Sequence, residues 1–166
     1  MTSPSDAADA AGPDDAHRRP AGTDDQTVEA AGKVSEAFEW IERARGRLYD
    51  FHQMIGRADF LVGDAADLLE GAGHAELARE LREDVIGRNV LTGRWTFQIV
   101  EEFDETYYRP VAAMEQHVRD ALMGGRRHVF EAELKERRRT HGRPGHEALP
   151  DDRGRSSGSA GATIEG

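Results

Sequence analysis

Apolar residues recur in the chain at alternating intervals of three and four between residues 34 and 62. This 3.5-residue spacing places them along one stripe of a helix, as in the seam of a coiled coil. No alternating strand pattern accompanies it. The stripe therefore predicts a helix that packs against neighbouring helices. Its apolar members are Val34, Phe38, Ile41, Leu48, Ile55 and Val62.

Three polar residues occupy further positions of the same stripe: Arg45, His52 and Asp59. They are seven residues apart, or about 10.5 Å along a helix, so they cannot contact one another there. We expect them to pair with groups on facing helices and so to set the register. A polar ligand cavity inside the helical fold is the alternative interpretation.

Glycine and proline predict where the helices end. We expect a bend or break near Gly56, because glycine costs about 1 kcal/mol relative to alanine inside a helix. Gly71 and Gly73 indicate a helix end, and Pro110 an end or a kink. The chain is thus predicted to be all-α, an irregular antiparallel helical bundle of about five to six helices with short loops.

Both ends of the chain differ in composition from its middle. Residues 1–32 carry seven acidic and two basic residues and few apolar ones, and residues 144–166 are rich in Gly and Ser. Neither segment offers enough apolar area to offset the entropy of ordering it. The prediction is a helical domain at 33–143 between a disordered acidic tail, 1–32, and a disordered tail, 144–166.

Charge and composition narrow the classes of partner. The formal net charge is −10, but residues 33–143 contain 18 basic and 21 acidic residues and carry only −3. Nucleic-acid binding needs a concentrated positive field, so this balance argues against such a partner. Only two of the 22 basic residues are lysine. High-GC coding and a high-salt cytoplasm both produce this halophilic-like composition.

Two absences in the sequence also bear on its class. It has no cysteine, which excludes disulfides and thiolate chemistry. It has neither a signal-peptide pattern nor an apolar run of the roughly 18–20 residues that a membrane span requires. We expect a cytoplasmic protein that is not attached to a membrane.

A metal or small-ligand site would require distant histidines and carboxylates to converge. Histidine and carboxylate side chains from facing helices do form metal sites in bundle cores. However, the chain lacks the paired Glu-x-x-His and the His-Glu-x-x-His spacings of such sites. The competing interpretation is one buried hydrogen bond at His52 and exposed histidines elsewhere, so we expect no metal and no cofactor. The candidate ligands are His52, Glu102, His117, His128 and Glu131.

The segment RWTFQIVEEFDETYYRP, residues 94–110, holds five of the eleven aromatic residues. Its 3.6-residue period predicts a helix that begins near Trp95 and buries Ile99, Val100, Phe103 and Tyr107. A helix N-terminus attracts anions. Three residues near this one are therefore candidate anion-binding residues: Arg88, Asn89 and Arg94.

A basic segment at 126–143 has a net charge of +4 and one aromatic residue, Phe130. One aromatic is too few for a platform on which bases stack. Pairing with an acidic surface of the same or another chain is the preferred interpretation, and a nucleic-acid-associated regulator is the lower alternative. The candidate interaction surface comprises Trp95, Tyr108, Arg127, Arg137, Arg138 and Arg139.

Two stretches, GRNVLTGRWTFQIVEEFDETYYRP and RTHGRPGHE, resemble small acidic helical proteins of haloarchaea and related high-GC prokaryotes. The resemblance spans about residues 43–147. Those proteins have no assigned activity, so it implies no catalytic residue. The sequence predicts a non-catalytic module for self-association or protein interaction, a homo-oligomer or a binder of a protein partner. The alternative is a metal- or small-ligand-binding helical bundle, with an enzyme as one form of it.

Overall fold

The computed structural model describes residues 12–150, and these form five α-helices and one π-helical turn. The first helix, α1, is the longest at 47 residues. The elements are α1 at Asp25–Gly71, α2 at Ala75–Asp84, α3 at Thr96–Phe103, the π turn at Asp104–Tyr108, α4 at Arg109–Met123 and α5 at Val129–Arg138. No β-strand occurs between residues 12 and 150, where one isolated bridge joins Leu91 and Arg94.

The all-α prediction is confirmed, but the predicted five to six separate helices are not found. The π turn joins α3 and α4 without interruption, so the described chain forms four continuous helices. The expected break near Gly56 is absent, because α1 continues through it. The cost of one glycine, about 1 kcal/mol, is small beside the packing of a whole helix face.

Pro110 does not end its helix either. It lies in the first turn of α4, directly after the π turn. Proline removes one backbone donor and crowds the carbonyl four residues earlier. In the π turn the Arg109 N–H donates to the Asp104 carbonyl, five residues back. The wider turn absorbs the proline without a break in the helix.

The chain divides into two compact units, and α1 contributes to both. Val34–His117 is one unit. Within it, successive residues along α1 contact residues that lie progressively earlier in the later part of the chain, so α1 and the continuous α3–α4 helix are antiparallel. The side-chain contacts are Ser35 with Glu115, Glu42 with Tyr108, Arg45 with Asp104, and His52 with Thr96.

The described residues of the other unit are 12–33 and 118–150. Its core consists of Val28, Ala31, Met123 and Val129, with Val118 and Phe130 packed against them.

This core corrects the predicted boundary at residue 32, because α1 begins at Asp25. The Asp24 carboxylate caps the helix by accepting the Thr27 N–H at 2.7 Å. Arg19 also forms a bidentate pair with Glu133, and both N–O distances are 2.6 Å. Of residues 144–150, also assigned to a tail, 144 and 145 lie in a turn and 148 and 149 in a bend. The predicted disorder of 1–11 and 151–166 falls outside the described residues.

Candidate functional site

The inner stripe of α1, which is the series from Val34 to Val62 identified in the sequence, faces the rest of the Val34–His117 unit. Its apolar members after Val34 are half-buried. The three polar members contact facing segments, as the register interpretation predicts. Arg45 binds Asp104, the His52 ring bonds the Thr96 hydroxyl at 2.7 Å, and Asp59 accepts the Gly87 N–H at 2.8 Å.

Arg45 and Asp104 form a bidentate ion pair between α1 and the π turn. The guanidinium donates Nε and Nη2 to the two carboxylate oxygens at 2.7 and 2.8 Å. These bonds lower the pKa of Asp104 below its usual range, against the opposing effect of partial burial. The Tyr108 ring lies 4.5 Å from the guanidinium carbon, and the Tyr108 hydroxyl donates to Glu42. Every charge here has a partner, so the group acts as a clamp between two helices.

The π turn explains why one face of the 94–110 segment was predicted wrongly. An α-helical period places Tyr107 inward after Phe103, but the wider turn adds one residue. Tyr108 is therefore half-buried, with its ring centroid 5.7 Å from that of Phe38. Tyr107 is 50% exposed. Of the other predicted positions, Val100 is buried and Ile99 and Phe103 are half-buried.

The candidate metal ligands do not form a metal site. Within residues 12–150, no three histidine or carboxylate side chains are grouped so that they could hold an ion. His52 bonds Thr96, and Glu102 pairs with Arg94. His117 is exposed. His128 and Glu131 do approach each other, at 4.0 Å, but only as a pair.

That pair borders an open cleft of about 480 Å³ in the unit that contains α5. His128 directly precedes α5 as its N-cap residue and has a left-handed conformation, with φ of 55°. Across the cleft, the His17 ring bonds Asp14 at 2.6 Å. The acidic and basic groups around the cleft largely satisfy one another, so the geometry does not indicate a particular ligand.

Two of the three candidate anion-binding side chains are bonded to other groups of the same chain. The Arg94 guanidinium is paired with Glu102. Arg88 donates to the Asp84 carbonyl at 3.2 Å, and Asn89 is exposed. The N–H of Trp95, which precedes α3, donates to Gln98 at 2.8 Å. One N–H group at the helix N-terminus is thus satisfied from within the chain.

The candidate interaction residues divide into exposed and packed ones. Arg127, Arg137 and Arg138 are exposed. Arg139 is not, because its side chain is buried and donates to both oxygens of Glu136, at 2.5 and 3.0 Å. Trp95 is half-buried, and its ring N–H donates to the Arg88 carbonyl at 2.8 Å. Arg139 is therefore largely covered by its own chain, and Trp95 and Tyr108 are each held by a contact within it.

A second stripe on α1 was missed in the sequence. It follows the same 3–4 spacing but lies on a solvent-facing flank, and we call it the outer stripe. Of its five large apolar side chains Phe51 is half-buried, and the other four, Trp40, Met54, Leu61 and Leu68, are 61, 63, 49 and 75% exposed. Its members are Ala37, Trp40, Ala44, Arg47, Phe51, Met54, Ala58, Leu61, Ala65, Leu68 and Ala72.

The signal for this stripe was present in the sequence. Small residues recur every seven positions, interrupted only by Phe51, and large ones recur every seven positions between them. Alanine carries little weight in a search for apolar periodicity, so the inner stripe dominates the pattern. Only the exposure of the large side chains distinguishes the outer stripe from core.

Two further findings concern the whole chain. No helix among residues 12–150 is both long enough and apolar enough to cross a membrane. No protein-family model, curated protein or solved structure matches the sequence.

Proposed function

We propose that the protein is a non-catalytic interaction module that binds another protein helix through the outer stripe of α1. The observation that carries this proposal is the exposure of Trp40, Met54, Leu61 and Leu68 along a single line. Isolated apolar residues on a surface need no explanation. A line of them repeated every seven residues is typical of a seam that a second helix covers.

The dimensions of the stripe support the same proposal. From Ala37 to Ala72 it spans roughly 50 Å at 1.5 Å per residue. At roughly 200 Å² per large apolar side chain, its four large residues expose on the order of 500 Å² of the chain. Stable interfaces bury about 800 Å² per partner. Phe51, the alanines and the stems of flanking side chains supply the remainder.

The proposal is also consistent with the predicted antiparallel helical bundle. In the Val34–His117 unit, α1 has antiparallel neighbours along its inner stripe, and a partner helix along the outer stripe would complete an antiparallel bundle. The polar groups of this unit support a structural role rather than catalysis. Arg45, Asp104 and His52 are each engaged by side chains of the same unit.

The test is to place a charge on the outer stripe and to measure the size of the protein's complexes in native extracts. Leu68→Glu is expected to shift the tagged chain to a smaller apparent size, because a buried, unpaired carboxylate is strongly disfavoured at a helix interface. Phe60→Glu is the matched control, since Phe60 is 72% exposed on the same helix but outside the stripe.

The control is expected to leave the size distribution unchanged. Circular dichroism must show equal helix content in both variants, so that a change in size reports binding and not unfolding. An unchanged size distribution for Leu68→Glu would refute the proposed interaction surface.

A further inference from the structure

We infer that the occupant of the outer stripe is the outer stripe of a second copy of this chain, running antiparallel and centred between His52 and Gln53. This inference rests on the proposed function, because it names the partner of the same surface. It is carried by three features of the stripe: its exact period, its alternation of size and the charges along its edge.

The period of the stripe is seven residues sustained over five heptads, from Ala37 to Ala72. A straight α-helix drifts by about 20° per heptad relative to such a repeat. Large and small residues that keep the repeat stay in line only around a supercoiling partner helix. A face that contacts only water has no physical reason to maintain the repeat.

The alternation of side-chain size selects an antiparallel partner. In a parallel pair of identical helices each layer matches a residue with itself, so Trp40 would meet Trp40 and Ala44 would meet Ala44. In an antiparallel pair each alanine faces a large residue, so four of the five layers combine one small and one large side chain, and only the Phe51–Met54 layer at the centre combines two large ones. With the centre between His52 and Gln53, five layers form, each occurring twice: Ala37 with Leu68, Trp40 with Ala65, Ala44 with Leu61, Arg47 with Ala58, and Phe51 with Met54.

The edge of the stripe carries charges of alternating sign. Five exposed residues at seven-residue intervals precede the small positions of the stripe: Glu36, Arg43, Asp50, Arg57 and Asp64. In an antiparallel coiled coil these edge positions face their counterparts on the other helix.

These charges select one register. In the proposed register Arg43 faces the second copy's Asp64, and Asp50 faces the second copy's Arg57, so all four cross-chain pairs are attractive. A shift by one heptad towards the N-terminus sets Arg43 against Arg57 and Asp50 against Asp50. A shift towards the C-terminus sets Asp50 against Asp64 and Arg57 against Arg57. Like charges at such positions are destabilising.

The other edge of the outer stripe is formed by inner-stripe residues, including Ile41, Leu48 and Ile55, which are half-buried. A parallel partner would set the charged edge of one chain against this apolar edge of the other. The antiparallel partner avoids that mismatch because it pairs charged edge with charged edge. Size and charge therefore indicate the same orientation.

The absence of cysteine from the chain allows a direct test by cross-linking. Full-length Ala44→Cys and Leu61→Cys chains, with different tags, are mixed in equal amounts and oxidised mildly. The inference expects the mixed 44–61 disulfide to dominate, because only side chains in the same layer come close enough to bond. A preference for 44–44 and 61–61 products would establish a parallel pair and overturn the inference.

A charge exchange tests the register independently. Arg43→Glu alone and Asp64→Arg alone are each expected to weaken the dimer roughly tenfold, because each makes two cross-chain pairs repulsive. The double variant, or an equal mixture of the two single variants, is expected to restore association. Failure of this restoration would overturn the register.

A monomeric purified chain that forms no cross-links would overturn self-pairing. If Leu68→Glu still reduced the size of complexes in extracts, the proposed interaction surface would stand with a different partner. If Leu68→Glu changed nothing in either experiment, the proposed function would fail as well.

Discussion

Two glycines in α1 allow the packing of its N-terminal part to be tested with two matched substitutions. Gly32 lies against Phe130: a Cβ added there would sit 2.9 Å from the Phe130 Cβ and 3.0 Å from its Cγ. Gly46 lies in the same helix, and a Cβ added there would have nothing within 4 Å. Gly32→Ala and Gly46→Ala are therefore a matched pair with opposite expected effects.

Alanine in place of glycine inside a helix contributes about 1 kcal/mol of stability. Gly46→Ala should raise the free energy of unfolding by about that amount. At Gly32 the same gain is opposed by the cost of overpacking, about 1–3 kcal/mol. The two variants should thus differ by about 1–3 kcal/mol, with Gly32→Ala the less stable.

The assay is urea denaturation followed by circular dichroism, with the midpoint and the slope fitted for each variant. An equal slope would show that the substitutions change stability and not the unfolded ensemble. If Gly32→Ala stabilised the protein as much as Gly46→Ala, then Phe130 would not pack on α1, and the correction to the predicted 1–32 tail would itself be wrong.

Four more substitutions test the remaining contacts by the same denaturation assay. Asp104→Asn should lower stability by about 2 kcal/mol at pH 7, because it breaks charged hydrogen bonds to Arg45. The pKa of Asp104 is lower in the folded protein than in the unfolded chain, where it is about 3.9. The wild type therefore has this extra stability above the unfolded-state pKa and loses it as the pH falls through the lower folded-state pKa, so the stabilities of the two proteins should converge in acid. A difference in stability that is constant at all pH values would contradict the clamp. Tyr108→Ala should cost about 2 kcal/mol because its ring is half-buried, and Tyr107→Ala should cost less than about 0.5 kcal/mol. A larger loss of stability from Tyr107→Ala than from Tyr108→Ala would show that the position of the π turn is wrong. Val28→Ala should cost about 2 kcal/mol through a cavity in the core, whereas a neutral result would indicate that this part of α1 is unpacked.

The inner stripe could be predicted from the sequence because its signal is local. A 3.5-residue spacing fixes which side chains share a helix face, whatever the rest of the chain does. The polar members Arg45, His52 and Asp59 were placed correctly for the same reason. Their individual partners were not predictable, since each lies on a segment far away in the sequence.

The N-terminal end of α1 shows where composition misleads. Residues 1–32 contain so few apolar side chains that their average predicts disorder, yet Val28 and Ala31 are buried by Met123 and Val129. An average over thirty residues conceals two that fit a distant core. The Asp24 cap was a usable signal for the helix start, because aspartate before a helix is a common N-cap.

The π turn and the candidate sites failed for different reasons. Periodicity assumes a constant number of residues per turn, so the extra residue before Pro110 exchanged the roles of Tyr107 and Tyr108. The candidate metal residues were grouped by chemical type, without spacing that would hold them together. Arg139 was assigned to the surface by its charge, although its pairing with Glu136 accompanies its burial.

The most direct test of the central claim is the mass of the purified full-length chain in solution, measured by light scattering over a range of concentrations. The outer-stripe account predicts a mass near twice the 18.3 kDa of one chain. It also predicts that Leu61→Glu reduces this mass to that of the monomer and that Phe60→Glu does not. A mass that is the same for wild type, Leu61→Glu and Phe60→Glu would contradict the account.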